Sequence, residues 1–284
     1  MNKWQFLIVS LVGSVLTFNA WAMSNARSLK VVVSIPPQKY LVTRIGGDHV
    51  SVSIMVKPGQ NPESYEPTPK QMAEVEHADL YFRIAVPFEN VWIDRIISNS
   101  PKLDVIGCCG PIDINSTDGE HPEDAHVWTS PENARVLAKI IFDALVKTDK
   151  ENSEFFTKNY NGLIHDLDEL DSYIRTRLEN LQNRYLVVVH PAWGYFARTY
   201  DLEQISVERH GSEVRARALM ELVDLIREHH IKQIYSQKQY SSETMKVLAK
   251  EAGARLVELD PLAENYIDNM RYVADMIATT DTAQ

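Results

Sequence analysis

Three polar residues occupy positions from which they could bind a divalent metal ion. His126 ends a polar loop, whereas His190 and Asp260 each end an apolar run that predicts a β-strand. Two neutral imidazoles and a carboxylate are ordinary ligands of zinc and other first-row transition metals. Histidines at strand ends are also common as hydrogen-bonded structural residues, so placement alone leaves both interpretations open. The sequence contains no HExxH, no GxSxG and no glycine-rich phosphate loop that would indicate a competing chemistry.

The strands that precede these residues indicate an α/β fold with mostly parallel sheets. Short apolar runs of the type found in buried parallel strands alternate with helical patterns along the whole chain. In open α/β sheets, ligands bind at the carboxyl ends of the strands, where His190 and Asp260 are expected. The predicted strands cover residues 29–35, 49–56, 78–84, 103–107, 185–190, 205–210, 231–236 and 254–260.

A long amphipathic helix is predicted between residues 153 and 184. This segment has no proline, and its apolar residues recur three and four positions apart. A helix of that length would extend about 45–50 Å, which exceeds the width of a small domain. We therefore expect an N-terminal α/β lobe at residues 28–150, a connecting helix at 151–184 and a C-terminal α/β lobe at 185–280. Because both halves carry candidate ligands, the metal site is expected between the lobes.

The first 22 residues have the pattern of a secretory signal peptide. Lys3 is followed by an apolar run at residues 6–18, and Ala20-Trp21-Ala22 provides small residues before a cut at Met23. An N-terminal anchor helix is the alternative, but the run is short for a membrane span. We expect a mature protein in the periplasm that does not insert into the membrane.

Charge and cysteine content restrict the function classes. The formal net charge of −10 disfavours nucleic acids and anionic membranes as partners. The only two cysteines are the adjacent pair Cys108-Cys109, so the fold is not built on disulfides, and their oxidation state stays open. A monomer is expected.

Four segments resemble the ligand-bearing motifs of the zinc- and manganese-specific solute-binding proteins of bacterial ABC importers. They are GQNPESYEPTP at 59–69, AHVWTSP at 125–131, HPAWGYFA at 190–197 and LDPL at 259–262, in that family's order. The resemblance spans essentially the whole mature chain. It implies two α/β lobes, a rigid connecting helix, one metal ion bound between the lobes as transported ligand, and delivery to an inner-membrane ABC permease.

The resemblance implies four metal ligands: Glu63, His126, His190 and Asp260. The family usually has histidine at the position of Glu63, whereas the other three positions match. Two nitrogens and two carboxylates form a neutral site with a dication, and the added oxygen increases tolerance of Mn²⁺ or Fe²⁺. Because a histidine at the position of His190 goes more often with zinc in the family, we expect Zn²⁺, with Mn²⁺ or Fe²⁺ as the alternative. In the other interpretation, Glu63 faces solvent, and water or His121 completes the shell.

Other residues near the motifs have two interpretations each. The acidic loop at 113–124 resembles a shortened form of the histidine-rich loop of zinc-type relatives. Its Glu120, His121 and Glu123 could collect metal weakly, although a solvated loop is the simpler interpretation. Four aromatic residues could shield the site and hold its ligands by hydrogen bonds, or only pack in the core; they are Tyr65, Trp128, Trp193 and Tyr195.

Two functions from other classes are compatible with this set of residues. A zinc hydrolase needs an open coordination position and a nearby general base, a role that Glu63 could take only by leaving the metal. A structural or adhesive protein that uses the metal for folding would be unfolded without it. Four protein ligands close the shell, so we expect a receptor that performs no chemistry on its ligand.

Overall fold

The computed structural model describes residues 28–112, 124–208, 216–241 and 243–279. The predicted signal peptide at 1–22 and the three candidate residues of the acidic loop, Glu120, His121 and Glu123, lie outside this described part of the chain. Within it, no helix is both long and apolar enough to cross a membrane.

The N-terminal lobe contains one parallel sheet. Its strands are β1 (Leu29–Val33), β2 (Val50–Ile54), β3 (Leu80–Arg83) and β4 (Asp104–Gly107), in the spatial order β2-β1-β3-β4. The helices of this half are α1 (Pro36–Gly46), α2 (Pro69–Glu76), α3 (Pro87–Asn99) and α4 (Pro131–Thr148).

Side-chain capping fixes where two of these helices begin. Thr68 caps α2: its hydroxyl accepts from the backbone N–H of Gln71, and the Gln71 side chain returns to the Thr68 N–H. Ser130 caps α4 through the N–H of Asn133. Both helix starts agree with the prediction from threonine or serine followed by proline.

The C-terminal lobe repeats the same sheet order. Its strands are β5 (Tyr185–Val188), β6 (Glu203–Ser206), β7 (Gln233–Ser236) and β8 (Arg255–Glu258), arranged as β6-β5-β7-β8 with every pair parallel. The helices of this half are α6 (Gly194–Thr199), α7 (Ala216–Glu228), α8 (Glu243–Ala252) and α9 (Tyr266–Ala278). The prediction of two parallel α/β lobes is therefore confirmed.

The connecting helix, α5, covers Ser153–Leu178. At 1.5 Å per residue it is about 39 Å long. It begins where the sequence predicts but ends at Leu178 rather than continuing to Arg184. The Arg184 guanidinium donates to the carbonyl oxygens of Leu178 and Glu179, each at 3.3 Å. These two backbone carbonyls at the C-terminal end of the helix thereby gain a hydrogen-bond donor.

The two lobes share one hydrophobic core. Helix α5 packs against α1, α4 and α9. One buried cluster includes Phe82 of the first sheet, Leu167 of α5 and Val188 of the second sheet. A second cluster, which includes Val187 and Leu248, lies between the other face of the second sheet and the helices α7 and α8. Adjacent residues of β5 thus face different cores, as the alternation of side chains along a strand requires.

Six of the eight described strands end earlier than the sequence predicts, and β6, predicted at 205–210, covers Glu203–Ser206. Strand β5 ends at Val188 and β8 at Glu258, so His190 and Asp260 both lie two residues beyond a strand end. The short helix α6 is absent from the sequence prediction.

Candidate metal centre

The sheet order places the C-terminal half of the site at a topological switch point. Strands β5 and β7 are neighbours. The chain passes from β5 to β6 on one side of this pair and from β7 to β8 on the other side, so a crevice forms between the carboxyl ends of β5 and β7. His190 follows β5, and Gln237 follows β7. The backbone N–H of His190 donates to Oε1 of Gln237 at 3.0 Å, so the two loops are joined across the switch point.

Three of the four predicted ligands meet at this crevice. Nε2 of His190 lies 3.4 Å from Nε2 of His126 and 3.4 Å from Oε1 of Glu63. Two donor atoms held 2.0–2.1 Å from one tetrahedral zinc ion are about 3.3 Å apart. The spacing of these two pairs of atoms is therefore that of donor atoms sharing one metal ion.

The fourth predicted ligand, Asp260, is held by other groups. Its Oδ1 atom accepts from Gln239 Nε2 and from the backbone N–H of Leu262, both at 2.9 Å. Its Oδ2 atom lies 3.6 Å from Nζ of Lys238. In the described chain no group of three or more histidine, cysteine, aspartate or glutamate side chains is already placed to hold a metal ion. Ligation by all four residues thus requires local side-chain movement.

The cavity at this point is small. Its volume is about 120 Å³, and Glu63, His126 and His190 lie among its lining residues. Pockets that bind drug-sized molecules have volumes of about 300–1,000 Å³. The cavity therefore fits an ion with a few water molecules and is too small for a sizeable organic solute.

Carboxylates fix the orientation of both imidazole rings. Nδ1 of His126 lies 2.8 Å from Oδ1 of Asp124, and Nδ1 of His190 lies 3.2 Å from Oε2 of Glu208. A carboxylate accepts a hydrogen bond, so each Nδ1 carries the proton and each Nε2 carries the lone pair. This arrangement is the usual support of a metal-binding histidine.

Glu208 is partly withdrawn from solvent, and burial raises its pKa above the ordinary value. Tyr240 covers the other side of His190, with its ring stacked on the imidazole at 4.4 Å between centroids. Burial, followed by the charges of Glu63 and Glu208, raises the pKa of Tyr240, so the phenol stays protonated. The imidazole is thus held between a carboxylate and an aromatic ring.

The four predicted aromatic residues have different positions. Trp128 lines the cavity, and its Nε1 donates to the carbonyl of Pro261 at 2.7 Å, which ties the first half of the chain to the loop of Asp260. The hydroxyl of Tyr195 donates to the backbone carbonyl of Asp124 at 2.9 Å and so supports the carboxylate that orients His126.

Tyr65 and Trp193 are buried but do not appear among the cavity-lining residues of the described chain. Tyr65 packs against Phe88 with ring centroids 4.9 Å apart, and Trp193 packs against Phe196 at 5.9 Å. Their contacts are those of core packing, so a direct role in holding the ligands stays a prediction.

The cysteine pair lies apart from the site. Cys108 and Cys109 are free thiols directly after β4, and Sγ of Cys109 donates to the carbonyl of Ile84 at 3.3 Å. Burial raises the pKa of Cys109 to about 12 and that of Cys108 higher still. Both groups are therefore protonated at neutral pH, whereas a metal-binding cysteine is a thiolate.

Sequence reasoning missed the groups that orient the ligands. Asp124 could have been found from its position two residues before His126. Glu208 could have been found because it follows β6, the parallel neighbour of the strand before His190. The sequence gives no comparable signal for Gln237, Gln239 and Tyr240, because their role depends on the pairing of β5 with β7.

Two parallel lobes, a long connecting helix and paired imidazoles between them define a solute-binding protein with a cation-sized site. A sequence model of the family described as "Zinc-uptake complex component A periplasmic" (ZnuA) matches residues 31–280. The chain belongs to this family, which consists of substrate-binding proteins rather than enzymes.

Individual relatives agree with this assignment. A protein described as metal-binding from Chlamydia muridarum is 30% identical over 258 residues, which cover 88% of this chain and 90% of the relative. The high-affinity zinc uptake system protein ZnuA of Bacillus subtilis is 29% identical over 280 residues, covering 90% and 85%. A crystal structure of ZnuA superposes with a TM-score of 0.86 at 32% identity and covers 89% of this chain and 99% of that one.

Proposed function

We propose that the chain captures Zn²⁺ outside the cytoplasm and delivers it to an inner-membrane ABC permease. The observation that carries this proposal is the pair of Nε2 atoms of His126 and His190, 3.4 Å apart, with each ring held through Nδ1 by a carboxylate. The names of the zinc uptake protein of Bacillus subtilis and of the zinc-binding AdcA proteins of Streptococcus pyogenes support zinc as the cargo.

The proposed donor atoms suit Zn²⁺ and also tolerate harder ions. Two imidazoles suit zinc, and carboxylate is an ordinary zinc ligand. Glu63 in place of the family's histidine adds an oxygen donor, which lowers the penalty for Mn²⁺ or Fe²⁺. We therefore propose Glu63, His126, His190 and Asp260 as ligands, with Zn²⁺ preferred and Mn²⁺ or Fe²⁺ as the alternative cargo.

Metal titration of the mature protein tests this proposal. The metal-stripped protein is titrated with Zn²⁺ and Mn²⁺ in competition with a chelator, after elemental analysis of the protein as purified. We expect one tight Zn²⁺ per chain and weaker Mn²⁺ binding. No tight binding of either ion would contradict the proposal.

The variant Glu63→Ala tests the proposed ligand at which this chain differs from the family's usual histidine. Removal of one of four ligands should weaken Zn²⁺ binding by at least the roughly 10- to 100-fold that loss of a group supporting a ligand costs, with the stoichiometry unchanged. The matched control is Glu66→Ala, which removes an exposed carboxylate from the same loop. Unchanged affinity in Glu63→Ala would remove Glu63 from the ligand set.

A further inference from the structure

The loop that follows β7 carries two glutamines, each of which holds a predicted ligand. Oε1 of Gln237 accepts from the backbone N–H of His190 at 3.0 Å. Nε2 of Gln239 donates to Oδ1 of Asp260 at 2.9 Å. Chemistry fixes both amide orientations, because an N–H must face an acceptor and a carboxylate must face a donor.

These orientations leave one unsatisfied atom on each glutamine. Nε2 of Gln237 and Oε1 of Gln239 are both buried, and neither has a hydrogen-bond partner among the described residues. Gln237 is 2% exposed, so bulk water does not satisfy its amide. A buried donor or acceptor without a partner costs free energy and calls for an explanation.

Both glutamines line the cavity that contains Glu63, His126 and His190. One glutamine offers a donor and the other an acceptor, which together are complementary to a small molecule that both accepts and donates a hydrogen bond. Water has this property. The cavity volume of about 120 Å³ is about four times the volume of one liquid water molecule.

We propose that Gln237 and Gln239 bind a water molecule that is coordinated to the metal ion. This inference rests on the proposed function and adds a fifth ligand to it. Gln237 Nε2 donates to the water oxygen, and Gln239 Oε1 accepts one of its protons. Binding of this water breaks no covalent bond.

A fifth, non-protein ligand changes the selectivity of the site. Zn²⁺ is four-coordinate and tetrahedral in a closed protein site, whereas Mn²⁺ and Fe²⁺ prefer more oxygen donors. The two glutamines therefore make the site more tolerant of these ions than its four protein ligands alone would be. Gln237 and Gln239 are positioning residues, since they act on the metal through the water.

Two spectroscopic measurements on the mature full-length protein test this inference. The intensity of the Co²⁺ visible bands distinguishes four-coordinate sites, which absorb strongly, from five- or six-coordinate sites, which absorb weakly. Broadening of the Mn²⁺ electron paramagnetic resonance lines in water enriched in oxygen-17 reports a coordinated water. We expect weak Co²⁺ bands and oxygen-17 broadening in the wild type.

The variant Gln237→Met should intensify the Co²⁺ bands and reduce the oxygen-17 broadening, whereas Gln182→Met at an exposed position should change neither. Strong tetrahedral Co²⁺ bands with 1:1 binding in the wild type would overturn the water but leave the proposed receptor intact. Weak bands without oxygen-17 broadening would also overturn it, because the fifth ligand would then be a protein atom. Failure of the wild type to bind any of the ions would contradict the proposed function instead.

Discussion

At the scale of single residues, the proposed metal site includes two carboxylates outside the proposed ligand set. Asp124 and Glu208 each hold the Nδ1 atom of one histidine, so both Nε2 lone pairs face the same cavity. A histidine that must reorient before it binds loses part of its affinity as entropy. The carboxylates remove that cost in advance, and their negative charge increases the basicity of the imidazoles.

Removal of one of these carboxylates should weaken metal binding without loss of a ligand. Glu208→Ala leaves the Nδ1 atom of His190 without its acceptor, and we expect Zn²⁺ affinity to fall by about 10- to 100-fold. Isothermal titration with a competing chelator measures the change.

The matched control is Glu203→Ala, which removes an exposed carboxylate at the start of β6, the strand that Glu208 follows, and should bind Zn²⁺ like the wild type. Equal affinity in Glu208→Ala and Glu203→Ala would show that the Glu208 contact has no role in binding.

At the scale of elements, α6 is placed so closely against the site that its first residue must be small. A Cβ atom on Gly194 would lie 2.8 Å from Oδ2 of Asp124. This separation is shorter than real Cβ contacts allow, so the carboxylate would have to move. Since Asp124 also holds His126, a change in a helix that carries no ligand should reach the metal site.

Gly194→Ala should therefore lower Zn²⁺ affinity by about tenfold through displacement of Asp124. The control is Gly162→Ala in α5, where an added Cβ meets no atom within 4 Å. That substitution should leave affinity unchanged and increase the free energy of unfolding by about 0.4–1 kcal/mol, because alanine restricts the unfolded chain. Thermal unfolding and metal titration of both variants give the comparison, and retention of full affinity in Gly194→Ala would contradict the coupling.

At the scale of the whole molecule, the continuous core opposes a wide opening of the lobes. Residues of both sheets, α5 and α9 belong to one buried cluster, so separation of the lobes would expose apolar surface. Asp260, in contrast, is held by contacts from the loops around it. Metal capture and release are therefore expected to proceed through movement of loops and ligands.

The metal-free protein should accordingly be folded and as compact as the loaded protein. Circular dichroism of the metal-stripped chain should show the same helix content and cooperative unfolding, and small-angle X-ray scattering should give the same radius of gyration with and without Zn²⁺. Free Zn²⁺ at 100 times its dissociation constant should stabilise the fold by about 2.7 kcal/mol. An unfolded metal-free chain would favour the structural use of the metal, and a large change in radius would contradict the shared core as a restraint.

The chain by itself determined the local structure and the types of the candidate ligands. Apolar runs identified the buried strands, capping sequences identified the starts of α2 and α4, and the periodicity after Ser153 identified α5, because these signals depend on neighbours in sequence. The four motifs identified Glu63, His126, His190 and Asp260 as candidates.

Only the tertiary structure decided which groups surround these candidates. The end of α5 at Leu178 depends on Arg184 reaching back to its last carbonyls. The roles of Glu208 and Gln237 depend on β5 lying between β6 and β7, a pairing of strands far apart in sequence. Local patterns record the preferences of a segment, whereas the hydrogen bonds that orient a metal ligand are set by the spatial order of the strands.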